Sequence, residues 1–588
     1  MISCVTNLWH WLERYPAPEQ TSWTRRSWIA FVLVTLAVIL FCGYFILYLT
    51  QKHQAYQTNA EDLGIMDQAL WNTMHGQLLH QTICNAVSDT NCVSENGIVR
   101  FAIHFEPILL PISLLYLIFP DPRTLLILQT IVVALGAYPA FFLAQRRLQH
   151  TLLAVILALL YLLYPAQQQA TVFDFHAVTF TSTLLLFAIY FMYMRRTLWT
   201  FVCALLAMAC KEEISLVVVM LGLWSIILQH RWRSGLVLVV VGLLWFFLAV
   251  DVIMPYFSPT GHPLLIGRFN ALGDGPLQVV FSIVCHPLVF LRQYVFEPSH
   301  GAYLRILFIP ALFLPLLAPW VMMIALPSIL LNLISSSNQM YSGLFQYNAE
   351  IVPVLMFATI EALVVLTRLV RYLLLLGYRW NDFRIARKRG GDMASRSFIG
   401  RAATRARPYD GHEGWAKMSV RSYDGHMGMP PIIWRVEVVW LMALLSLMLA
   451  SSLHYDLRFH GSLPVSTDFT WPNISPHAAL AEQFGRMIPP TASVSAQSRL
   501  VPHISERRAV YLFPYASDSA EYIFLDITGD IYPYYVLTEY ERAVKVILSG
   551  GRYGILVRGN GFLLLKRGSP PPTMDVLDAI FSVDRRSG

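Results

Sequence analysis

Charge is scarce in this chain. Of its 588 residues only 13% are Asp, Glu, Lys or Arg, against 56% hydrophobic and a mean hydropathy of +0.51. That balance excludes an ordinary soluble globular protein, about 25% charged, and indicates a polytopic membrane protein. Ser-His-Asp sets, phosphate loops and dinucleotide loops are missing in any convincing context. The seven cysteines form no zinc-like pair. Five of them, Cys4, Cys42, Cys203, Cys210 and Cys285, are isolated membrane or near-membrane residues. Cys84 and Cys92 instead share a polar loop, where a disulfide is expected if the loop faces an oxidising compartment. No small-residue cleavage site follows the first apolar run, 28–50, which Arg25 and Arg26 precede. This run is therefore expected to persist as an anchor with the N-terminus in the cytoplasm.

The formal charge of +7 is concentrated in one stretch: fourteen Lys or Arg lie between Arg368 and Arg435, against five acids. Such clustering reports orientation in a membrane and gives no reason to expect nucleic acid as a partner. With basic clusters placed in the cytoplasm, eleven spans thread in order: 28–50, 123–145, 151–169, 176–194, 198–210, 213–229, 234–254, 302–318, 320–334, 351–372 and 432–453. The C-terminus is then outside. The run 107–119 is too short to span comfortably and reads as an interfacial or re-entrant helix.

The resulting organisation is a cytoplasmic segment 1–27, a membrane module 28–372 with its first extracytoplasmic loop at 51–122, a basic cytoplasmic loop 373–431, a last span 432–453 and an extracytoplasmic α/β domain 454–588. The basic loop is expected to be disordered and held near anionic lipid. It contains Tyr-Asp-Gly-His twice, at 409–412 and 423–426. In the last domain, strands are expected at 492–496, 509–513, 522–526 and 553–558, with helices at 476–488 and 538–548.

This threading collects the conspicuous polar residues on one side. Asn59 to Trp71 holds Glu61, Asp62 and Asp67. As a helix over 62–76 it would place Leu63, Met66 and Leu70 on one face, Asp62 along that face, and Glu61 and Asp67 at its flanks. A carboxylate on the apolar side of an interfacial helix needs a partner or a task. The plainer alternative is helix-start chemistry, with Asn59 as N-cap and the acids favoured by the helix dipole. His104-Phe105-Glu106-Pro107 and Phe173-Asp174-Phe175-His176 each put a carboxylate beside an imidazole, suited to mutual orientation or a divalent metal; the plainer alternatives are a helix start at Pro107 for the first and an aromatic-anchored turn for the second. Lys211-Glu212-Glu213 is a charged triplet between two runs shorter than a full span, hence a set of charges below the membrane surface or a polar turn. Arg268 and Gln346-Tyr347-Asn348 have the chemistry to touch a phosphate or sugar.

Taken together, Glu61 to Trp71, His104 to Leu109, Phe173 to His176 and Lys211 to Glu213 resemble the membrane family catalogued as DUF2079, as does the segment Ile488-Pro489-Pro490 to Ser505. Relatives often carry Glu-Asp after the lysine; this chain has Glu212-Glu213, which preserves charge and alters any metal geometry. The architecture in turn is similar to the GT-C glycosyltransferases, multi-span α-helical enzymes of the cell membrane with a small extracytoplasmic domain.

That resemblance implies transfer of a sugar from a polyprenyl-phosphate lipid to an envelope glycan, lipid or protein acceptor. Asp62 would be the general base, Glu61 its support, and the anomeric centre would invert. Asp67, His104, Glu106, Asp174, His176, Lys211, Glu212, Glu213 and Arg268 would be the substrate shell, with membrane lipid around it. The resemblance leaves the cofactor open; were a divalent metal ion used, Asp62, Asp174 and His176 are its candidate ligands. Rival readings are a transporter or flippase of lipid-linked saccharides, or a non-catalytic envelope assembly protein. A transporter should also place polar residues at mid-depth and carry internal repeats, and no obvious repeat occurs here.

Overall fold

The computed structural model describes residues 23–573 apart from 88–91, 93, 266, 270–272, 274–275, 389–430 and 459–460, together with residue 576. Among the described residues five helices are long and apolar enough to cross a bilayer: Arg25–Gln54, Pro122–Leu148, Trp232–Phe257, Gln346–Tyr378 and Arg435–Arg458. Thr151–Leu162 and Pro165–Val172 make a sixth if taken as one span bent by 43°. The bend sits at Pro165, which lacks an amide proton for the helical ladder and biases Tyr164 to extended backbone. Shorter apolar helices, Ala177–Tyr193, Thr197–Met208, Ile214–Gln229 and Pro319–Ile334, pack among them. Leu109–Ser113 and the tight turn Leu114–Leu117 occupy the stretch read as interfacial, with Leu114, Leu117, Ile118 and Phe119 exposed.

Two expected elements differ. The run 302–318 is not one helix: Pro298–Phe308 stops, Leu312 and Phe313 take φ of 52° and 58°, and a short turn Leu314–Leu317 follows. Pro310 and Pro315 supply the reason, since neither can donate to a continuing ladder. Helix Val352–Lys388 runs well past residue 372, because 373–376 are four leucines with strong helical propensity. Cys4, most of the basic loop and both Tyr-Asp-Gly-His segments lie outside the described residues.

Small residues let backbones close. A Cβ on Gly222 would lie 2.7 Å from the Gly235 carbonyl oxygen, and one on Gly242 2.8 Å from that of Ser215, so helices Ile214–Gln229 and Trp232–Phe247 approach through glycine. At the far end of the bundle the Arg147 guanidinium makes a two-pronged buried ion pair with Glu361, and Arg231 donates to the Met192 carbonyl and Thr197 Oγ1, both at 2.9 Å.

In the first loop β1 (His80–Gln81) pairs antiparallel with β2 (Ile98–Val99). The C-terminal domain is a five-stranded sheet of β3 (Val494–Ala496), β4 (Val510–Leu512), β5 (Tyr522–Asp526), β6 (Tyr553–Gly559) and β7 (Phe562–Arg567) in the order β4-β3-β5-β7-β6. β3 runs parallel to β4 and β5, whereas β7 is antiparallel to both neighbours. Helices Pro476–Arg486 and Leu537–Ser549 accompany it. β7 was not among the expected strands, although Asn560-Gly561, with φ of 44° and 85°, is a two-residue hairpin turn that announces it.

The domain is seated on the first loop. Ala60, Ile65 and Ile83 share one apolar cluster with Phe484, Val494, Val501 and Phe562. The rings of His53, His503 and Tyr56 stack at the seam, with centroid separations of 4.1 Å and 3.6 Å.

Candidate active site

After helix Arg25–Gln54 the helix expected over 62–76 runs from 60 to 74, its first turn, Ala60–Gly64, wound wider than the α-helix Ile65–Met74 that continues it. The Asn59 side chain caps nothing; its backbone N–H donates to Asp174 Oδ2 at 2.6 Å. The wide turn removes Asp62 from the apolar stripe and places it on the wall of a cavity of about 390 Å³.

Into that cavity the fold brings Glu61, Asp62, His104, Glu106, His176, Lys211 and Arg268, with Gln346 and Tyr347 beside them. They come from six separate segments of the chain. Asp62 Oδ1 lies 3.2 Å from His176 Nε2, and Asp62 keeps 22% of its side chain exposed. The ring's other nitrogen, Nδ1, lies 3.0 Å from the Asp174 carbonyl oxygen. His104 Nδ1 meets Glu212 Oε1 at 2.8 Å, and Glu212 Oε2 also accepts the Phe105 N–H at 3.0 Å. Burial, with Lys211 and Arg100 nearby, holds the His104 imidazole well below its ordinary pKa, so the neutral ring donates from Nδ1. Glu106 is paired with Arg100 at 2.8 Å. Lys211 Nζ lies 2.5 Å from Glu213 Oε1 and 5.4 Å from the centre of the Tyr347 ring. Among the described residues Arg268 makes no ion pair.

Four of the expected site residues stand behind the wall. Asp174 is fully buried, bound to Lys52 Nζ at 3.2 Å as well as to the Asn59 N–H. Glu212 and Glu213 hold His104, Phe105 and Lys211 in place. Asp67, expected at the flank of its helix, is fully buried because the C-terminal domain covers it: Tyr116 and Ser505 hydroxyls donate to its two oxygens at 2.7 Å and 2.6 Å. Burial pushes Asp67 up to about 7, Asp121 adding to it and the two hydroxyl bonds opposing. Glu506 beside it is pushed up to about 8 by burial, Asp67 and Asp121.

The candidate metal ligands do not form a ligand set. Asp62 and His176 face each other, but the Asp174 carboxylate is committed to Lys52 and Asn59. Among the described residues no group of three or more His, Cys, Asp or Glu is arranged to hold a metal ion.

Residues that the linear pattern did not single out complete the cavity. Tyr532 and Asp530 reach it from the C-terminal domain. The Tyr532 hydroxyl donates to Glu61 Oε2, and Asn85 Nδ2 donates to the same oxygen at 3.1 Å and to the Tyr532 hydroxyl at 3.0 Å. Asn85 is bracketed by Cys84 and Cys92, which are disulfide-bonded with Cα atoms 5.6 Å apart and also line the cavity. The Asn85 loop had a signal, its paired cysteines. Tyr532 had none, being 471 residues from Glu61.

A family model described as predicted membrane protein (DUF2079) matches residues 52–376 and 418–564. No curated protein matches the sequence. Among solved structures the chain is similar to ArnT from Cupriavidus metallidurans bound to undecaprenyl phosphate, at 13% identity and a TM-score of 0.45, covering 94% of this chain and 100% of that one. Against the apo state of that protein the identity is 13% and the TM-score 0.43, over 92% and 97% of the two chains. The apo oligosaccharyltransferase of Archaeoglobus fulgidus gives 11% identity and a TM-score of 0.40, over 86% of this chain and 70% of that one.

Proposed function

Since this chain belongs to the DUF2079 family of predicted membrane proteins, a description that names no reaction, we propose from its site that it is a multi-pass membrane glycosyltransferase. The reading is that it moves a sugar from a polyprenyl-phosphate lipid to an acceptor hydroxyl on the outer face. One observation carries it: a single cavity presents the Asp62–His176 pair together with the cations Lys211 and Arg268.

Asp62 is the general base. His176 engages Oδ1, leaving Oδ2 to take the proton of the acceptor hydroxyl as that oxygen bonds to the anomeric carbon. The sugar–phosphate bond breaks on the opposite face, so configuration inverts and the electron pair leaves with the phosphate. Negative charge then grows on the lipid phosphate, where Arg268 and Lys211 stabilise it. Glu61, tied to Tyr532 and Asn85, shapes the wall beside Asp62.

The test is direct. Purified protein should carry a polyprenyl-phosphate sugar detectable by mass spectrometry and should move the sugar from a labelled panel of such lipids to water or an added glycan. Reporter fusions should place residues near 80, 280 and 520 outside the cytoplasm and the loop near 400 inside. A cytoplasmic signal at 80 or 520 sinks the reading, because the cavity would then face the wrong compartment.

A further inference from the structure

A second cavity of about 350 Å³ lies between the end of helix Arg25–Gln54 and the C-terminal domain, lined by Tyr56, His477, Arg499, Asp526, Thr528 and Asp530. Asp530 lines the first cavity as well, so the segment after β5 is a wall common to both. Its polar groups are fixed. The His477 ring lies over Phe562 with centroids 4.2 Å apart. Asn560 Nδ2 donates to His477 Nδ1 at 3.3 Å, which leaves the proton on Nε2 to be donated to Asp526 Oδ2 at 2.7 Å. Asp526 Oδ1 accepts from the Thr528 N–H at 3.1 Å and hydroxyl at 2.8 Å. Arg499 Nε donates to Asp530 Oδ2 at 3.0 Å with about half of the side chain, 48%, exposed.

The chemistry selects a ligand class. Two carboxylates face one guanidinium, already paired with Asp530, and one imidazole, already bonded to Asp526, a balance that disfavours phosphates and carboxylates. The donors and acceptors are mixed and set in planes, beside the flat rings of Tyr56 and His477. A polyhydroxylated ring meets both demands, with hydroxyls that donate and accept at its rim and C–H faces that pack on rings. The volume is within the range that holds small ligands.

We infer that this cavity binds saccharide, holding a sugar unit of a glycan next to the first cavity. Under the transfer reading the unit belongs to the acceptor; saccharide binding here does not itself require transfer at Asp62.

Saturation-transfer NMR on the full protein in nanodiscs, free of sugar-headed detergent, tests it with maltotriose, cellotriose, mannotriose and chitotriose as probes. At least one should give a saturable signal with millimolar affinity. Asp526→Asn and Arg499→Gln should each weaken it by about tenfold, whereas Asp62→Asn should leave it unchanged. Arg499 is half exposed, so its variant reports even if Asp526→Asn misfolds. Silence from all four probes at about 20 mM, unchanged affinity in both variants, or preferential binding of inorganic phosphate overturns the assignment. Saccharide binding by an unmodified protein that transfers no sugar from any of the labelled lipids would count against the transfer reading alone.

Discussion

His176 presents Nε2 to Asp62 Oδ1 at 3.2 Å while its Nδ1 lies 3.0 Å from the Asp174 carbonyl oxygen. A carbonyl oxygen only accepts, so Nδ1 carries a proton and it is Nε2 that faces Asp62 in the cavity wall. The ring is fixed because the Asp174 side chain is itself fixed, by Lys52 and the Asn59 N–H. Asp174 therefore positions the pair from behind and stays out of the cavity.

Asp62→Asn keeps size and hydrogen bonding but removes base and charge, so sugar transfer should fall by about 100-fold or more with folding retained. Glu61→Gln should cost less. Initial rates from a lipid-linked donor measure both. Near-wild-type transfer, or full rescue of a deletion strain, by Asp62→Asn would remove the base assignment.

Tyr532→Phe deletes only the hydroxyl that donates to Glu61. Transfer should drop roughly tenfold, and adding Asn85→Ala should cost much less than its effect alone, because both donors serve one carboxylate oxygen. A double-mutant cycle on kcat/KM reads the coupling. Strictly additive losses would show that Glu61 is not the shared target.

Lys211 and Arg268 should separate binding from stability. Lys211→Met leaves Glu213 buried without its cation and should destabilise the protein by about 3–5 kcal/mol. Arg268→Gln should leave unfolding unchanged while weakening donor-lipid binding about tenfold or more. Thermal unfolding and lipid titration distinguish the two; equal stability losses would show that Arg268 is a structural residue and not a phosphate contact.

Asp67 gives a pH signature. Its carboxyl titrates near 3.8 when unfolded and near 7 in the fold, so between those values the folded state holds the extra proton. Stability should fall as pH rises through that window, since the unfolded carboxyl ionises there while the folded one must hold its proton. Glu506, raised to about 8, extends the slope upward with the same sign. Asp67→Asn should flatten the slope and raise the thermal midpoint at pH 8. A midpoint that climbs from pH 5 to pH 8 in the unmodified protein would refute this.

Local physics made much of this legible in one dimension. Apolar runs of membrane-spanning length mark helices whatever they pack against, because the backbone must satisfy itself in hydrocarbon. Four of the five strands of the last domain follow from period-two and apolar runs. The charged connections at 61–62, 104–106, 173–176 and 211–213 stand out because charge between apolar runs is costly. What each acid does was decided by partners remote in sequence. Asp67 reads as a flank residue until Ser505 and Tyr116 bury it. Asp174 reads as a metal ligand until Lys52 and Asn59 claim it. Asp62 reads as the apolar face of a helix until a wide turn swings it to His176. Side-chain pairing across more than a hundred residues depends on how helices pack and where the C-terminal domain lands, and helical periodicity carries no information about either.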